Sequence, residues 1–251
     1  MKILITGATS GIGRACAELL ASKGYELILT GRRKERLLSL KTDFEYKTAV
    51  HTYCFDISKR KEAETHLNRI VSEHADIEVL INNAGLAAGL EHVSEGNVDN
   101  WERMIDTNVK GLLYASKILA RSMKTNKKGQ IINISSIAGR ESYPNGGVYC
   151  ASKHAVQAIT DAMRVELLAD NIRVSSVCPG AVNTEFSLVR FDGDKNKADK
   201  VYEGFEELVG KDIAEAVYFV LSRPSHVNIA DMLILPSAQG SARDIYRKGY
   251  N

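Results

Sequence analysis

The chain has 251 residues, of which 44% are hydrophobic and 25% charged, and its formal net charge is +2. These are globular proportions, and the length allows one large α/β domain with a sizeable core. They argue against a general basic field for nucleic acid or an anionic membrane surface, and no apolar run approaches the roughly 18 residues of a spanning helix.

Short apolar runs alternate with longer amphipathic stretches from end to end. Strand-like Met1-Lys2-Ile3-Leu4-Ile5 comes at once, so no signal peptide is expected. Strands are expected at Lys2–Thr6, Glu26–Thr30, His51–Phe55, Val79–Asn82, Gln130–Ser135, Arg173–Cys178 and Met232–Leu235. Helical periodicity lies between them, at Ile12–Lys23, Lys59–His74, Trp101–Ser122 and Tyr149–Leu168 among others. Helices of this length between strands imply βαβ units and a parallel sheet covered on both faces. Ile77-Glu78-Val79-Leu80-Ile81 is nearly continuous apolar sequence, as a strand buried on both faces requires. No repeat or linker divides the chain, so a single α/β domain over 1–251 is expected.

The first strand runs into Thr6-Gly7-Ala8-Thr9-Ser10-Gly11-Ile12-Gly13, which opens the first helix. Glycines there let backbone approach a pyrophosphate, and the helix N-terminus adds amides and partial positive charge. The spacing is Gly-x3-Gly-x-Gly, a variant of the commoner dinucleotide fingerprint. The second strand ends in Thr30-Gly31-Arg32-Arg33, where an NAD site would place a carboxylate for the ribose 2′-hydroxyl. Two guanidinium groups suit a 2′-phosphate instead, so NADP(H) is the expected cofactor.

Four scattered cysteines, Cys16, Cys54, Cys150 and Cys178, show no metal or redox spacing and read as small core residues. The six histidines form no HxxxH or His–carboxylate cluster in the sequence, so no metal is expected. Thr184 to Phe205 is long, charge-rich and weakly periodic, and it follows Pro179-Gly180 directly after a strand. A segment of that kind, at about 184–210, is expected to be a substrate lid.

Tyr149 and Lys153 stand four residues apart, on one face of a helix, thirteen residues after Ser136. A cation beside the phenol favours phenolate and brings a poor neutral-pH acid toward working range. The serine hydroxyl then offers a hold on a carbonyl or alcohol oxygen. The spacing of the pair is common by itself, and its weight comes from the company it keeps.

Taken together, these motifs resemble the short-chain dehydrogenase/reductase family, in its branch of roughly 250 residues built on one Rossmann-type, doubly wound sheet of about seven strands. The resemblance runs almost the whole chain. It is carried by Thr6-Gly7 to Gly13, Asn82-Asn83-Ala84-Gly85, Asn108 in Asp106-Thr107-Asn108-Val109-Lys110-Gly111, Ser136, Tyr149-x3-Lys153 and Pro179-Gly180. It implies that Tyr149 is the proton donor and acceptor, and that Lys153 lowers its pKa and holds the nicotinamide ribose. Ser136 would orient the substrate oxygen, while Ser135 points into the sheet. Asn108 would bend its helix and hold a water that relays protons from Lys153. Cofactor contacts would come from Gly7, Thr9, Ser10, Gly11, Ile12 and Gly13, from Arg32 and Arg33, and from Asp56 and Ile57 at the adenine. Asn83, Ala84 and Gly85 would line the adenosine ribose side, with Pro179, Gly180, Val182 and Thr184 at the carboxamide end.

The strings Glu185-Phe186-Ser187-Leu188-Val189-Arg190-Phe191, Asp192-Gly193-Asp194 and His226-Val227-Asn228-Ile229 look like the NADP-dependent 3-hydroxy acid dehydrogenases within that family. The likeness implies a homotetramer that acts on serine, 3-hydroxypropionate or similar small acids, and the scattered cysteines and strand-like start make a cytoplasmic location the expectation. Such a substrate needs a fixed cation, for which Arg190 is the candidate, with Arg140 and Tyr143 as further substrate-side residues. Sulfoacetaldehyde reduction, ketoacyl-thioester or hydroxysteroid reduction, and a non-catalytic NADP-binding sensor are the alternatives.

Overall fold

The computed structural model describes residues 1–249. Alternate residues of the central strands point to opposite faces, and both faces are apolar, so the chain must cover each with helices. Ile3 and Ile5 of β1 (Lys2–Ile5), with Leu27 and Leu29 of β2 (Glu26–Gly31), belong to one core. There they meet α1 (Gly11–Ser22), α2 (Lys34–Phe44) and α9 (Gly210–Leu221). Leu4 and Ile28 point the other way, into a second core with α3 (Arg60–Glu73) and α5 (Leu112–Asn126).

The sheet is completed by β3 (Val50–Cys54), β4 (Ile77–Asn82), β5 (Gly129–Ile134), β6 (Ile172–Pro179) and β9 (Asp231–Ile234). Its seven strands run in the order β3-β2-β1-β4-β5-β6-β9, all parallel. The order reverses between β1 and β4, so a crevice opens beyond their carboxyl ends, where the glycine turn and Asn83 lie. Among the described residues no helix is long and apolar enough to cross a membrane.

The expected helix over Trp101–Ser122 is divided. α4 (Val98–Ile105) passes into a π-helical turn at Asp106–Gly111 before α5 begins. Periodicity survives one wide turn, so the sequence pattern does not show it. The 184–205 segment is more ordered than its weak periodicity implied. It holds α7 (Glu185–Arg190) and α8 (Lys195–Lys200), and a two-strand ladder of β7 (Val182–Asn183) and β8 (Leu208–Val209) ties its base. Thr184 caps α7 by accepting from the Phe186 amide at 3.2 Å.

Cys16, Cys150 and Cys178 are buried, as expected of small core residues, whereas Cys54 is exposed. It ends β3, opposite Gly31 of β2, where its thiol lies 3.6 Å from the Arg32 carbonyl. The tertiary fold also assembles a His–carboxylate cluster that no spacing revealed. Glu26 of β2, His51 of β3 and His74 at the end of α3 come together, with their ligand atoms within 4.8 Å of one another. The Lys2 ammonium lies 3.1 Å from Glu26 and 3.5 Å from His74 Nδ1, so a cation of the chain already serves this cluster.

Candidate active site

A cavity of about 600 Å³ opens at the carboxyl ends of the strands. Its floor is the glycine turn. Gly7 has φ +67°, and a Cβ there would meet Ala84 Cα at 2.8 Å, so only glycine lets the two loops approach. Gly13 lies outside the cavity lining, where a Cβ would run into the Asn83 amide and the Gly7 carbonyl. Its role is therefore to let α1 pack on the turn. Asn83 donates from Nδ2 to the carbonyls of Thr6 (2.9 Å) and Gly7 (3.1 Å), which joins the β1 and β4 loops.

Ser10 precedes α1 without capping it; its hydroxyl accepts from Arg33 Nη2 at 2.6 Å instead. The first amides of a 12-residue helix thus face the cavity, a feature that suits a pyrophosphate. Gly7, Thr9, Ser10, Gly11, Ile12, Arg32, Arg33, Asp56, Ile57, Asn83, Ala84 and Gly85 all line this half of the cleft. Arg32 stands 3.6 Å from Asp56, whose carboxylate also accepts from Ser58. Pro179, Gly180, Val182 and Thr184 line the other end, together with Ser136, Tyr143, Tyr149, Lys153 and Arg190.

Tyr149 and Lys153 project from one face of α6 (Gly147–Glu166), and both are buried. Burial pushes the Tyr149 phenol well above its ordinary value, and the nearby Tyr143 adds to this; Arg190 and a hydrogen bond with Ser136 oppose it. Lys153 donates to the Ile134 carbonyl at 2.9 Å, and its ammonium lies 5.9 Å from the Tyr149 ring centre. Burial brings its pKa down to about 8. The Arg190 guanidinium carbon lies 5.3 Å from the same Tyr149 ring centre. Ser136 accepts from the Ala138 amide at 3.1 Å, which fixes its hydroxyl at the start of a 3₁₀ turn. Ser135 donates to the Lys153 carbonyl of α6 at 3.4 Å and lines the cavity beside Ser136, rather than pointing into the sheet as expected.

Asn108 sits in the π turn, buried, outside the cavity lining. Its amide donates to the Leu86 carbonyl (2.9 Å) and Ser152 (3.0 Å), and its Oδ1 accepts from the Leu86 amide at 2.8 Å. A Cβ on Gly85 would lie 3.2 Å from Asn108 Oδ1 and 3.5 Å from Lys153 Nζ, so glycine lets all three pack together.

Arg190 is carried on α7 into the end of the cavity that holds Tyr149 and Ser136. Its guanidinium lies over the rings of Tyr143, Tyr149 and Phe186. Nη2 donates to the Tyr143 hydroxyl at 2.6 Å, while Nε is buried without a hydrogen-bond partner. Two acids near it in sequence are used elsewhere: Asp194 pairs with Lys197, and Glu185 with Arg33 and Arg36. Arg140 is not in the cavity. It forms an ion pair with Asp231 of β9, because the 3₁₀ turn at Ile137–Gly139 sends its side chain across to the edge strand. That corrects the expectation that Arg140 borders the substrate.

Sequence reasoning missed Gln239, Ala242, Ile245 and Arg247, which wall the cavity from the segment after β9. No periodicity or motif marks that segment. Gln239 reveals itself only by accepting from the Ala181 amide at 2.9 Å, beside Gly180.

Comparison with known proteins agrees with this geometry. Residues 1–194 match the short chain dehydrogenase family. An NADP-dependent 3-hydroxy acid dehydrogenase of Schizosaccharomyces pombe is 45% identical over 98% of this chain and 96% of its own length. Sulfoacetaldehyde reductase 2 of Chromohalobacter salexigens is 38% identical over 94% of each chain. Among solved structures, the closed form of a serine dehydrogenase complexed with NADP+ superposes with a TM-score of 0.91 at 39% identity, covering 99% of this chain and 100% of the other. With its glycine turn, its Tyr149–Lys153 pair and Ser136 around one cleft, the chain belongs to the short-chain dehydrogenase family and is an oxidoreductase of that family.

Proposed function

We propose that the protein interconverts a small 3-hydroxy acid, of the serine or 3-hydroxypropionate type, with its oxo-acid or semialdehyde, using NADP(H). The carrying observation is Arg190, a cation without a carboxylate partner among the described residues, held on the ring of the proposed proton donor. The 3-hydroxy acid dehydrogenases named among its relatives support the same reading.

A nicotinamide held in this cleft would supply or take the hydride. In reduction, Tyr149 gives its phenolic proton to the carbonyl oxygen while the Ser136 hydroxyl holds that oxygen. In oxidation, Tyr149 takes the proton back. Arg190 clamps the carboxylate and so fixes which end of the molecule faces Tyr149. Lys153, buried beside Tyr149, holds the ribose hydroxyls and passes protons outward. The Asn108 side chain is itself committed to Leu86 and Ser152.

Arg190→Ala is expected to raise KM for 3-hydroxypropionate roughly ten- to a hundredfold, the worth of a charge-assisted hydrogen bond. KM for a neutral alcohol of similar size should move by less than about threefold. Equal losses on both would remove Arg190 from substrate recognition. A sulfonate fits the same guanidinium, and one relative is named a sulfoacetaldehyde reductase. Isethionate in the same substrate panel separates the two acids.

The proposed assembly is a homotetramer. Val165 (76% exposed) and Leu168 (75%) at the end of α6, with Phe219 and Leu233 around β9, leave apolar surface uncovered on a single chain. Sedimentation should give four times the 27.6 kDa of one chain; a monomer in dilute buffer would refute the assembly. Four free cysteines and no disulfide among the described residues fit the reducing cytoplasm, which cell fractionation would test.

A further inference from the structure

We propose that Glu185 competes with the 2′-phosphate of NADP(H) for Arg33, and so limits the affinity and speeds the release of that cofactor. The inference rests on the reading of Arg32 and Arg33 as the phosphate-holding pair.

Arg33 spends its donors on three partners. Nε reaches Thr9 Oγ1 at 3.1 Å, Nη2 reaches Ser10 Oγ at 2.6 Å, and Nη1 reaches Glu185 Oε2 at 2.7 Å. The other carboxylate oxygen of Glu185 accepts from Arg36 Nη1 at 2.6 Å. Two guanidinium groups thus close on one carboxylate contributed from the far end of the chain. The hydrogen bonds to Arg33 and Arg36 outweigh burial and hold that carboxyl below the usual range.

Glu185 opens α7, the helix that ends in Arg190. The preceding residue, Thr184, lies close over Gly11, where a Cβ would sit 3.2 Å from Thr184 Cβ. The connection therefore runs across the glycine turn and joins the substrate lid to the adenosine end of the cleft. Those three bonds take three of the five N–H donors of Arg33, and a 2′-phosphate beside Arg32 and Arg33 would bring a dianion next to the Glu185 carboxylate. Both anions cannot keep Arg33 without repulsion. Arg36 can retain Glu185 while Arg33 turns to the phosphate, and on release the carboxylate recaptures Arg33. NAD(H) carries only a 2′-hydroxyl there and meets no such competition.

Direct fluorescence titration of NADPH and NADH, with stopped-flow release rates, tests this on the purified full chain. Glu185→Gln keeps the shape and removes the charge. It should tighten NADPH binding about two- to fivefold, the span of a partly exposed ion pair, with slower release. NADH affinity should change by less than about 1.5-fold, because no phosphate is involved. Unchanged or weaker NADPH binding, or an equal shift for NADH, would overturn the proposal. Glu185→Ala must act in the same direction, which guards against a local rearrangement in the glutamine variant. Arg33→Ala tests the underlying reading separately. It should weaken NADPH roughly tenfold or more and spare NADH. If Arg33→Ala shifts both cofactors alike, the phosphate assignment fails. If it discriminates while both Glu185 variants do nothing, only the competition fails.

Discussion

Tyr149→Phe should lower kcat by roughly 10²- to 10⁴-fold in both directions, the usual worth of a positioned acid–base group. NADPH affinity and the melting temperature should stay close to those of the parent protein. The ring keeps its edge-on contact with Phe186 at 5.5 Å, and Ser136 retains the Ala138 amide and the Pro179 carbonyl at 3.4 Å as partners. What disappears is the one hydroxyl that meets Ser136 beneath Arg190. Steady-state kinetics beside a cofactor titration separates the two effects. A variant that keeps a tenth of the activity would show that another group moves the proton.

Lys153→Met should abolish most turnover and yet make the fold more stable at neutral pH. Lys153 is 6% exposed and has one hydrogen bond, to Ile134, so burial penalises its charge and brings its pKa from 10.5 to about 8. The folded pKa is below the unfolded one, so between about 8 and 10.5 the unfolded chain binds more protons and stability rises with pH. Below pH 8 the whole penalty stands. At ~1.4 kcal/mol per pH unit it is bounded near 3 kcal/mol, and losing the Ile134 bond offsets part of the gain. A net gain of about 1–2 kcal/mol raises Tm by roughly 2–8 °C in a chain of this length. Thermal melts at pH 7 and pH 10 check the sign, since the advantage of the methionine should shrink toward the higher pH. A lower Tm at pH 7 would mean that the lysine is stabilised by contacts that outweigh its burial.

Such a pair, a phenol pushed up and an ammonium pushed down by one buried pocket, marks a site that trades stability for function. The sequence spacing correctly put both on one helix face. It did not show that α7 also brings the Arg190 guanidinium onto the Tyr149 ring. Sequence separation hides this, because Arg190 and Tyr149 meet only after α7 folds back over α6.

The strands and long helices were readable because their apolar periods are strong and uninterrupted. Asn108 was readable as a special position from its motif, but the π turn was not, since one extra residue barely disturbs the helical pattern. Arg190 was the expected substrate cation and Arg140 a second candidate from the loop after Ser136. The fold separates them by giving Arg140 the Asp231 carboxylate and leaving Arg190 against aromatic rings.

By itself, then, the sequence determined the parallel sheet, the glycine turn, the paired arginines after β2 and the Tyr149–Lys153–Ser136 set. Each of these depends on local period or short spacing, which a linear chain displays directly. Only the tertiary structure decided which cations are paired, that Glu185 reaches Arg33 and Arg36, that Glu26, His51 and His74 gather around Lys2, and that the segment after β9 walls the cleft. Those are contacts between residues far apart in the chain, and Coulomb attraction and burial select them only once the sheet has brought their strands together.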